Sequence, residues 1–309
     1  VQTCALPISK VGYYSKYLNS NGNRPLTFNL KEALHDQPVP VPCGGCVGCR
    51  LERSRQWAVR CMHENQMCQD SSFLTLTYSE ENQPENGSLD KKHLQDFWKR
   101  LRKHLYPSRI RYYACGEYGD NTFRPHYHAL VFGYRPQDGV PIKNTDSGYL
   151  YGSQELSEIW GLGHTSFGEV TFESAGYVAR YVMKKLNGDM AKDRYERITP
   201  DGEIIELQPE FQTYSTRPAI GAKWLQKYLS DVYPHDEVIF NGKPMRPPKA
   251  YDQALKKVDP LTYEIVMRER RKGGREFADD NTVDRRRVKE IVKLSKLKQL
   301  KRTNHKETD

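Results

Sequence analysis

Three residues near the middle of the chain have the types and spacing of a metal site. His126 and His128 stand two apart in His-Tyr-His-Ala-Leu-Val-Phe, a pattern typical of a β-strand with a buried continuation. Side chains alternate between the two faces of a strand, so both imidazoles point the same way. Glu117 ends the preceding apolar run and is placed to be a third ligand. Two imidazoles and one carboxylate leave positions open for a phosphate oxygen, whereas two structural histidines are the alternative interpretation.

A second candidate group follows in Gly176-Tyr-Val-Ala-Arg-Tyr-Val-Met-Lys184. Tyr177 and Tyr181 are four residues apart, so on a helix they share one face. A tyrosine phenolate can attack phosphorus and remain attached as a phosphotyrosine, and Lys184 is placed to stabilise the phenolate or the transition state. Because the chain has 20 tyrosines, ordinary helix packing is the alternative. A metal-type strand in the same domain favours the nucleophile.

Three cysteines form a third candidate site. Cys43, Cys46 and Cys49 follow the spacing Cys-x-x-Cys-x-x-Cys, which can present thiolates to a structural zinc ion. The fourth ligand stays open among Cys61, His63, Cys68 and Cys115. A Gly-rich turn with reduced thiols is the alternative. An iron–sulfur run is disfavoured because Glu52 and Arg53 stand where its next Cys-Pro would fall.

Charge and composition limit the partners. The 309 residues carry a net charge of +9, and residues 268–309 hold 15 Lys/Arg against 8 Asp/Glu, so most of the excess lies in the tail. A basic tail favours a nucleic-acid partner contacted through phosphates, and a solvated helix is the alternative. With no long apolar run and an odd number of cysteines, we expect no membrane partner and a reducing, intracellular setting. The chain begins at Val1 rather than Met, and its first ten residues carry no argument.

The local patterns predict the elements that must position these residues. Alternation and apolar spacing indicate strands over 73–78, 109–117 and 164–172, and helices over 51–67, 90–105, 154–160, 251–272 and 282–302. Ser88 or Asp90 is expected to cap the second helix and Ser174 the tyrosine helix. Residues 135–152 are expected to be a loop and 243–249 a linker, because both are rich in Gly, Pro or polar residues.

These elements predict an α+β chain. Strands segregated from helices suggest a layered domain with an antiparallel sheet that carries the His-x-His strand and is flanked by helices. An N-terminal Cys-rich arm precedes it and a basic helical tail follows. We place the boundaries at 1–70 for the arm, knuckle and first helix, 71–190 for the catalytic core, 191–250 for an extension and 251–309 for the tail.

The combined motifs resemble a known family. The order of a strand at 73–78, then Glu117, His126-Tyr-His128 and Tyr177-x-x-x-Tyr181-x-x-Lys184 resembles the HUH endonuclease superfamily. Longer stretches are similar to the replication initiators of gokushovirus-type microviruses: Cys43-Gly-Gly-Cys-Val-Gly-Cys-Arg-Leu-Glu-Arg-Ser-Arg-Gln-Trp57, Ile110-Arg-Tyr-Tyr-Ala-Cys-Gly-Glu-Tyr-Gly119 and Arg124-Pro-His-Tyr-His-Ala129. The resemblance spans about residues 24 to 230. Tyr127 and Ala219 depart from it, since a bulky apolar residue and a glycine are expected there.

The resemblance implies rolling-circle initiation on single-stranded or origin DNA. One tyrosine takes the 5′ phosphate, the freed 3′-OH primes synthesis, and the other tyrosine resolves a unit-length circle. The metal implied at Glu117, His126 and His128 is Mg²⁺ or Mn²⁺. The sequence contains no Gly-x4-Gly-Lys-Ser/Thr phosphate loop, so we expect a host helicase and host replication machinery as partners, in the host bacterial cytoplasm. A non-catalytic DNA-binding or DNA-packaging protein is the alternative.

Overall fold

The computed structural model describes residues 9–20, 22, 24–42, 44, 46–119, 122–145, 148–180, 194–198, 201–277 and 279–299. These residues divide into two compact units. One consists of the described residues up to Glu52 and from Arg268 onward, and the other of those within Arg53–Met267.

The described strands and helices are as follows. The strands are β1 (Ser9–Ser15), β2 (Leu26–Thr27), β3 (Ala33–Pro42), β4 (Ser71–Thr77), β5 (Arg111–Tyr118), β6 (Pro125–Phe132), β7 (Val140–Thr145), β8 (Gly148–Gly152), β9 (Thr165–Gly168), β10 (Glu196–Ile198), β11 (Ile204–Glu206), β12 (Phe211–Tyr214), β13 (Val238–Phe240) and β14 (Lys243–Met245). The helices are α1 (Val47–Asn65), α2 (Lys91–His104), α3 (Gln154–Trp160), α4 (Phe172–Arg180), α5 (Ala222–Lys227), α6 (Leu229–Val232), α7 (Lys249–Val258), α8 (Pro260–Glu276) and α9 (Val283–Gln299).

A seven-stranded sheet is the centre of the unit within Arg53–Met267. Its strand order is β12-β5-β6-β4-β9-β8-β7, and each pair of neighbours is antiparallel. Every residue of β6 is buried. Such complete burial requires cover on both faces, which agrees with the apolar run that predicted this strand.

Helices cover the two faces of this sheet. On one face, α2 and α3 pack Leu94, Phe97 and Trp160 against the odd-numbered residues of β6 in one apolar core. On the other face, Ala58 of α1 and Val178 of α4 pack against the even-numbered residues Leu130 and Phe132. His126 and His128 share that second face, because residues two apart on a strand point the same way. An α+β fold with an antiparallel sheet flanked by helices is therefore confirmed.

A third apolar cluster lies in the later part of the same unit. It joins Val59 of α1 to α5, α6 and α7 through Leu225, Val232, Tyr251 and Leu255. His63 is buried there, stacked on Trp224 with ring centroids 3.5 Å apart.

The other unit contains a small antiparallel sheet in the order β2-β1-β3. It also contains α9, which follows a short 3-10 helix at Asp279–Asn281. Asp280 accepts bonds from Arg285 and Lys289 at the start of α9. A helix beginning near residue 282 was predicted, and α9 confirms it.

Several local predictions are wrong. Residues 135–152 are not a continuous loop, because β7 and β8 pair within them. Nearly all of β7 is exposed, so it lacks the apolar alternation by which a strand is recognised. The linker prediction fails at β14, which pairs with β13, and the helix predicted over 251–272 is divided between α7 and α8 at Pro260.

Two helix starts test the capping predictions. Asp90 caps α2, since its side chain accepts a bond from the amide of Lys92. Ser174 does not cap α4. The strand predicted to reach residue 172 ends at Gly168, and Thr171 precedes the helix: its hydroxyl accepts from the Ser174 amide, while the Ser174 hydroxyl accepts from the Thr171 amide. This reciprocal pair is a capping box.

Candidate active site

Two neighbouring strands bring the predicted metal ligands together. In the β5–β6 register Glu117 lies directly opposite His126, and Cys115 lies opposite His128. All four side chains therefore share one face of the sheet. Gly116 separates Cys115 from Glu117, and a Cβ there would come within 2.8 Å of the Phe211 ring. Glycine thus lets β12 lie close beside the strand that carries Glu117.

The three side chains form a compact buried cluster. The Nε2 atoms of His126 and His128 lie 2.9 and 3.0 Å from the same oxygen, Oε1 of Glu117. The possible ligand atoms all lie within 4.8 Å of one another. Glu117 is 1% exposed and each histidine 5%. The buried Glu/His/His cluster can hold a metal ion.

The opposite nitrogen of each ring fixes its orientation. Nδ1 of His126 is 3.1 Å from the carbonyl oxygen of Arg124, and Nδ1 of His128 is 3.1 Å from the hydroxyl of Thr75. A carbonyl oxygen only accepts, so Nδ1 of His126 carries the proton. Partners of this kind orient metal-ligating imidazoles and make them better ligands.

This arrangement fits a cation between the imidazoles and the carboxylate. With its proton on Nδ1, a neutral His126 turns the Nε2 lone pair toward the Glu117 carboxylate, 2.9 Å away. Two lone pairs at that distance repel, so the contact needs a proton or a metal ion between them. Nitrogen and oxygen donors of this set suit first-row divalent ions such as Mn²⁺, and Mg²⁺ is the harder alternative.

The carboxylate of Glu117 is held in its charged form. Burial alone would raise the pKa of Glu117, but hydrogen bonds and charge interactions with His126 and His128 outweigh it and lower that pKa to about 2. Glu117 is therefore negatively charged at neutral pH and supplies the charge that a divalent ion requires.

Tyr177 lies directly against this cluster. Its ring meets the His128 ring edge-on, with centroids 5.1 Å apart at 82°, and Phe73 lies 6.2 Å away. Tyr177 also lines a cleft with Gly168, Glu173 and Arg180. It is half-buried, so its side chain reaches both the metal-type cluster and solvent. The structure thus brings one predicted tyrosine to the predicted metal ligands.

Comparisons with known proteins give the family. The sequence model of the replication-associated protein family of the ORF2 type matches residues 71–186. The chain is 36% identical to Replication-associated protein VP4 of Bdellovibrio phage phiMH2K over 71% of this chain and 68% of the relative. It is 32% identical to Replication-associated protein ORF2 of Spiroplasma virus 4, over 70% and 68% respectively.

The chain belongs to the gokushovirus-type replication initiators.

A further member of this family, Replication-associated protein ORF4 of Chlamydia phage 1, is 29% identical over 71% of this chain and 54% of the relative. No solved structure matches the chain.

The remaining predicted residues of this initiator lie in different parts of the chain. Tyr181 and Lys184 fall outside the described residues, as does Cys43. Cys49 is buried and Cys46 is partly exposed, and the Gly44 amide donates to Sγ of Cys49 at 3.2 Å. The zinc site at Cys43, Cys46 and Cys49 therefore stays a prediction. No helix in the described ranges is both long and apolar enough to cross a membrane.

Sequence reasoning missed two residues that contact the initiator's site. Thr75 faces Nδ1 of His128, and Phe73 stacks on the same ring with centroids 5.5 Å apart. The alternating Phe-Leu-Thr-Leu-Thr pattern predicted their strand. It did not indicate that β4 pairs with β6, so it could not place Thr75 opposite His128.

Proposed function

We propose that this initiator starts phage DNA replication by a rolling-circle mechanism. It nicks single-stranded origin DNA and later rejoins it through a 5′-phosphotyrosine intermediate. The observation that carries the proposal is the ring of Tyr177 against His128, in a buried cluster that also contains His126 and Glu117. Host helicase and replication machinery are the partners, and the host bacterial cytoplasm is the compartment.

Glu117, His126 and His128 would hold one Mn²⁺ or Mg²⁺ ion. When bound, such an ion draws charge from a phosphate oxygen and makes the phosphorus easier to attack. The protein's contribution is a donor set already assembled and buried, with both rings oriented from behind by Arg124 and Thr75. Little reorganisation then accompanies phosphate binding.

The tyrosines supply the nucleophiles. The phenolic oxygen of Tyr177 or Tyr181 bonds to phosphorus, the bond from phosphorus to the 3′ oxygen breaks, and the phenolic proton is replaced by a proton on the released 3′-OH. One phosphodiester is exchanged for another, so no ATP is needed. Lys184 is proposed to stabilise the phenolate. After one round the second tyrosine cuts the regenerated origin, and the freed 3′-OH attacks the first phosphotyrosine to close the circle.

A set of tyrosine variants tests this proposal. Each of Tyr177→Phe and Tyr181→Phe should still nick a short origin oligonucleotide but fail to release circles. The double variant should form no covalent protein–DNA adduct. Phenylalanine keeps the ring and its packing, so a lost adduct reports the missing hydroxyl. Tyr106→Phe, an 84% exposed tyrosine, is the matched control and should behave as wild type.

The same variants separate the enzyme from a protein that only binds or packages DNA. A non-catalytic protein would form no adduct in any variant, including the wild type. A double variant that still becomes covalently attached to DNA would place the nucleophile elsewhere and contradict the assignment of this helix.

A further inference from the structure

We propose that Thr75 is a positioning residue that holds His128 in its metal-binding tautomer. The inference rests on the metal site proposed above. Thr75 lies directly opposite His128 in the β4–β6 register, on the same face of the sheet. Its hydroxyl is 3.1 Å from Nδ1 of His128.

The contacts around His128 divide the work of holding the ring. Phe73 stacks on one face with an interplanar angle of 10°, and Tyr177 meets the ring at 82°. Ring contacts of this kind restrain the plane of the imidazole, and they do not select which nitrogen carries the proton. Hydrogen-bond partners make that choice: the hydroxyl of Thr75 at Nδ1 and the carboxylate of Glu117 at Nε2.

The hydroxyl favours the tautomer that a metal needs. When Thr75 accepts the Nδ1 proton, the Nε2 lone pair points toward Glu117, where an ion would sit. Without the hydroxyl, the proton moves to Nε2, where it bonds to the Glu117 carboxylate. That proton occupies the position of the ion and must leave before metal binds, so affinity falls.

The two histidines differ in how they are held. Nδ1 of His126 donates to the backbone carbonyl of Arg124, a partner that no side-chain substitution removes. Nδ1 of His128 faces the side chain of Thr75. The branched Cβ of threonine restricts its side-chain rotation on a strand, so its hydroxyl is presented with little loss of freedom. His128 is thus the ligand whose orientation a single substitution can change.

Three variants test the role. Thr75→Val keeps the branched shape and removes the hydroxyl, and Thr75→Ser keeps the hydroxyl. Thr77→Val is the matched control: Thr77 lies two residues along the same strand and face, but its hydroxyl donates to the carbonyl of His164 at 3.1 Å. The readouts are the Mn²⁺ dissociation constant by calorimetry and the ¹⁵N shifts of the His128 ring in metal-free protein. Thermal unfolding in EDTA checks that each variant folds.

We expect Thr75→Val to bind Mn²⁺ about 10-fold or more weakly and to move the His128 proton toward Nε2. Thr75→Ser and Thr77→Val should bind close to wild type. Unchanged Mn²⁺ affinity in Thr75→Val overturns the role of Thr75 alone. An equal loss in all three variants overturns it as well, because it would reflect packing of the strand. A wild-type protein that binds no Mn²⁺ overturns the proposed metal site together with this inference.

Discussion

Replacing Glu117 by glutamine is a direct perturbation of the buried cluster. Glutamine keeps the shape of the side chain and removes its charge. In metal-free protein the Glu117 carboxylate lies within 3.0 Å of Nε2 of both histidines. Removing one partner of a buried charged group leaves the others uncompensated, which is costly.

The magnitude follows from the pKa of Glu117. Its interactions with the two imidazoles lower that pKa from 4.5 to about 2 despite the opposing effect of burial. A difference of that size corresponds to about 3 kcal/mol of folding free energy. Because the folded-state pKa is lowered, this stability is present above the unfolded-state value and is lost as pH falls toward the folded-state value. By pH 3 less than about half of it should remain.

The assay is urea unfolding of wild type and Glu117→Gln in EDTA, at pH 7 and at pH 3. We expect the variant to be less stable by about 3 kcal/mol at pH 7, and the difference to shrink by more than half at pH 3. Glu173→Gln, at an exposed glutamate on the neighbouring helix, is the control and should match wild type at both pH values. A variant as stable as wild type at pH 7, or a difference independent of pH, would refute the reasoning.

Two further predictions concern the cysteines and the tail. Protein purified without chelator should contain about one zinc per chain, held by Cys43, Cys46 and Cys49, and Cys46→Ser should lose it; zinc-free wild type with normal thermal unfolding would leave only a Gly-rich turn. Deleting residues 268–309, which carry a net +7, should weaken DNA binding and flatten its dependence on salt, whereas a scrambled tail of equal charge should restore both. An unchanged salt slope after deletion would exclude phosphate contacts by the tail.

The sequence predicted the metal-type cluster because its evidence is local. Period-two alternation puts His126 and His128 on one face, and a short turn returns the chain from Glu117 to the same edge of the sheet. The apolar run after His128 predicted the burial of its strand, and Asp90 predicted the start of a helix. Each of these signals lies within a few residues of the feature that it predicts.

The features that escaped prediction depend on distant parts of the chain or on backbone pairing. Thr75 meets His128 across 53 residues, through a strand pairing that no local pattern encodes. The hairpin of β7 and β8 lies at the edge of the sheet with β7 almost wholly exposed, so its pairing leaves no apolar trace in the sequence. Thr171 rather than Ser174 caps α4, because either hydroxyl fits the pattern and only the helix start decides.

One measurement tests the central claim most directly: mass spectrometry of the protein–DNA adduct. Wild-type protein is incubated with Mn²⁺ and single-stranded oligonucleotides that tile the genome encoding this chain, then digested with nuclease and trypsin. Trypsin cleaves after Arg180, so Tyr177 and Tyr181 fall in different peptides. We predict a 5′-linked nucleotide on Tyr177, Tyr181 or both, and none when EDTA replaces Mn²⁺. An adduct on another residue, an adduct that forms equally in EDTA, or no adduct on any oligonucleotide would contradict metal-dependent tyrosine transesterification.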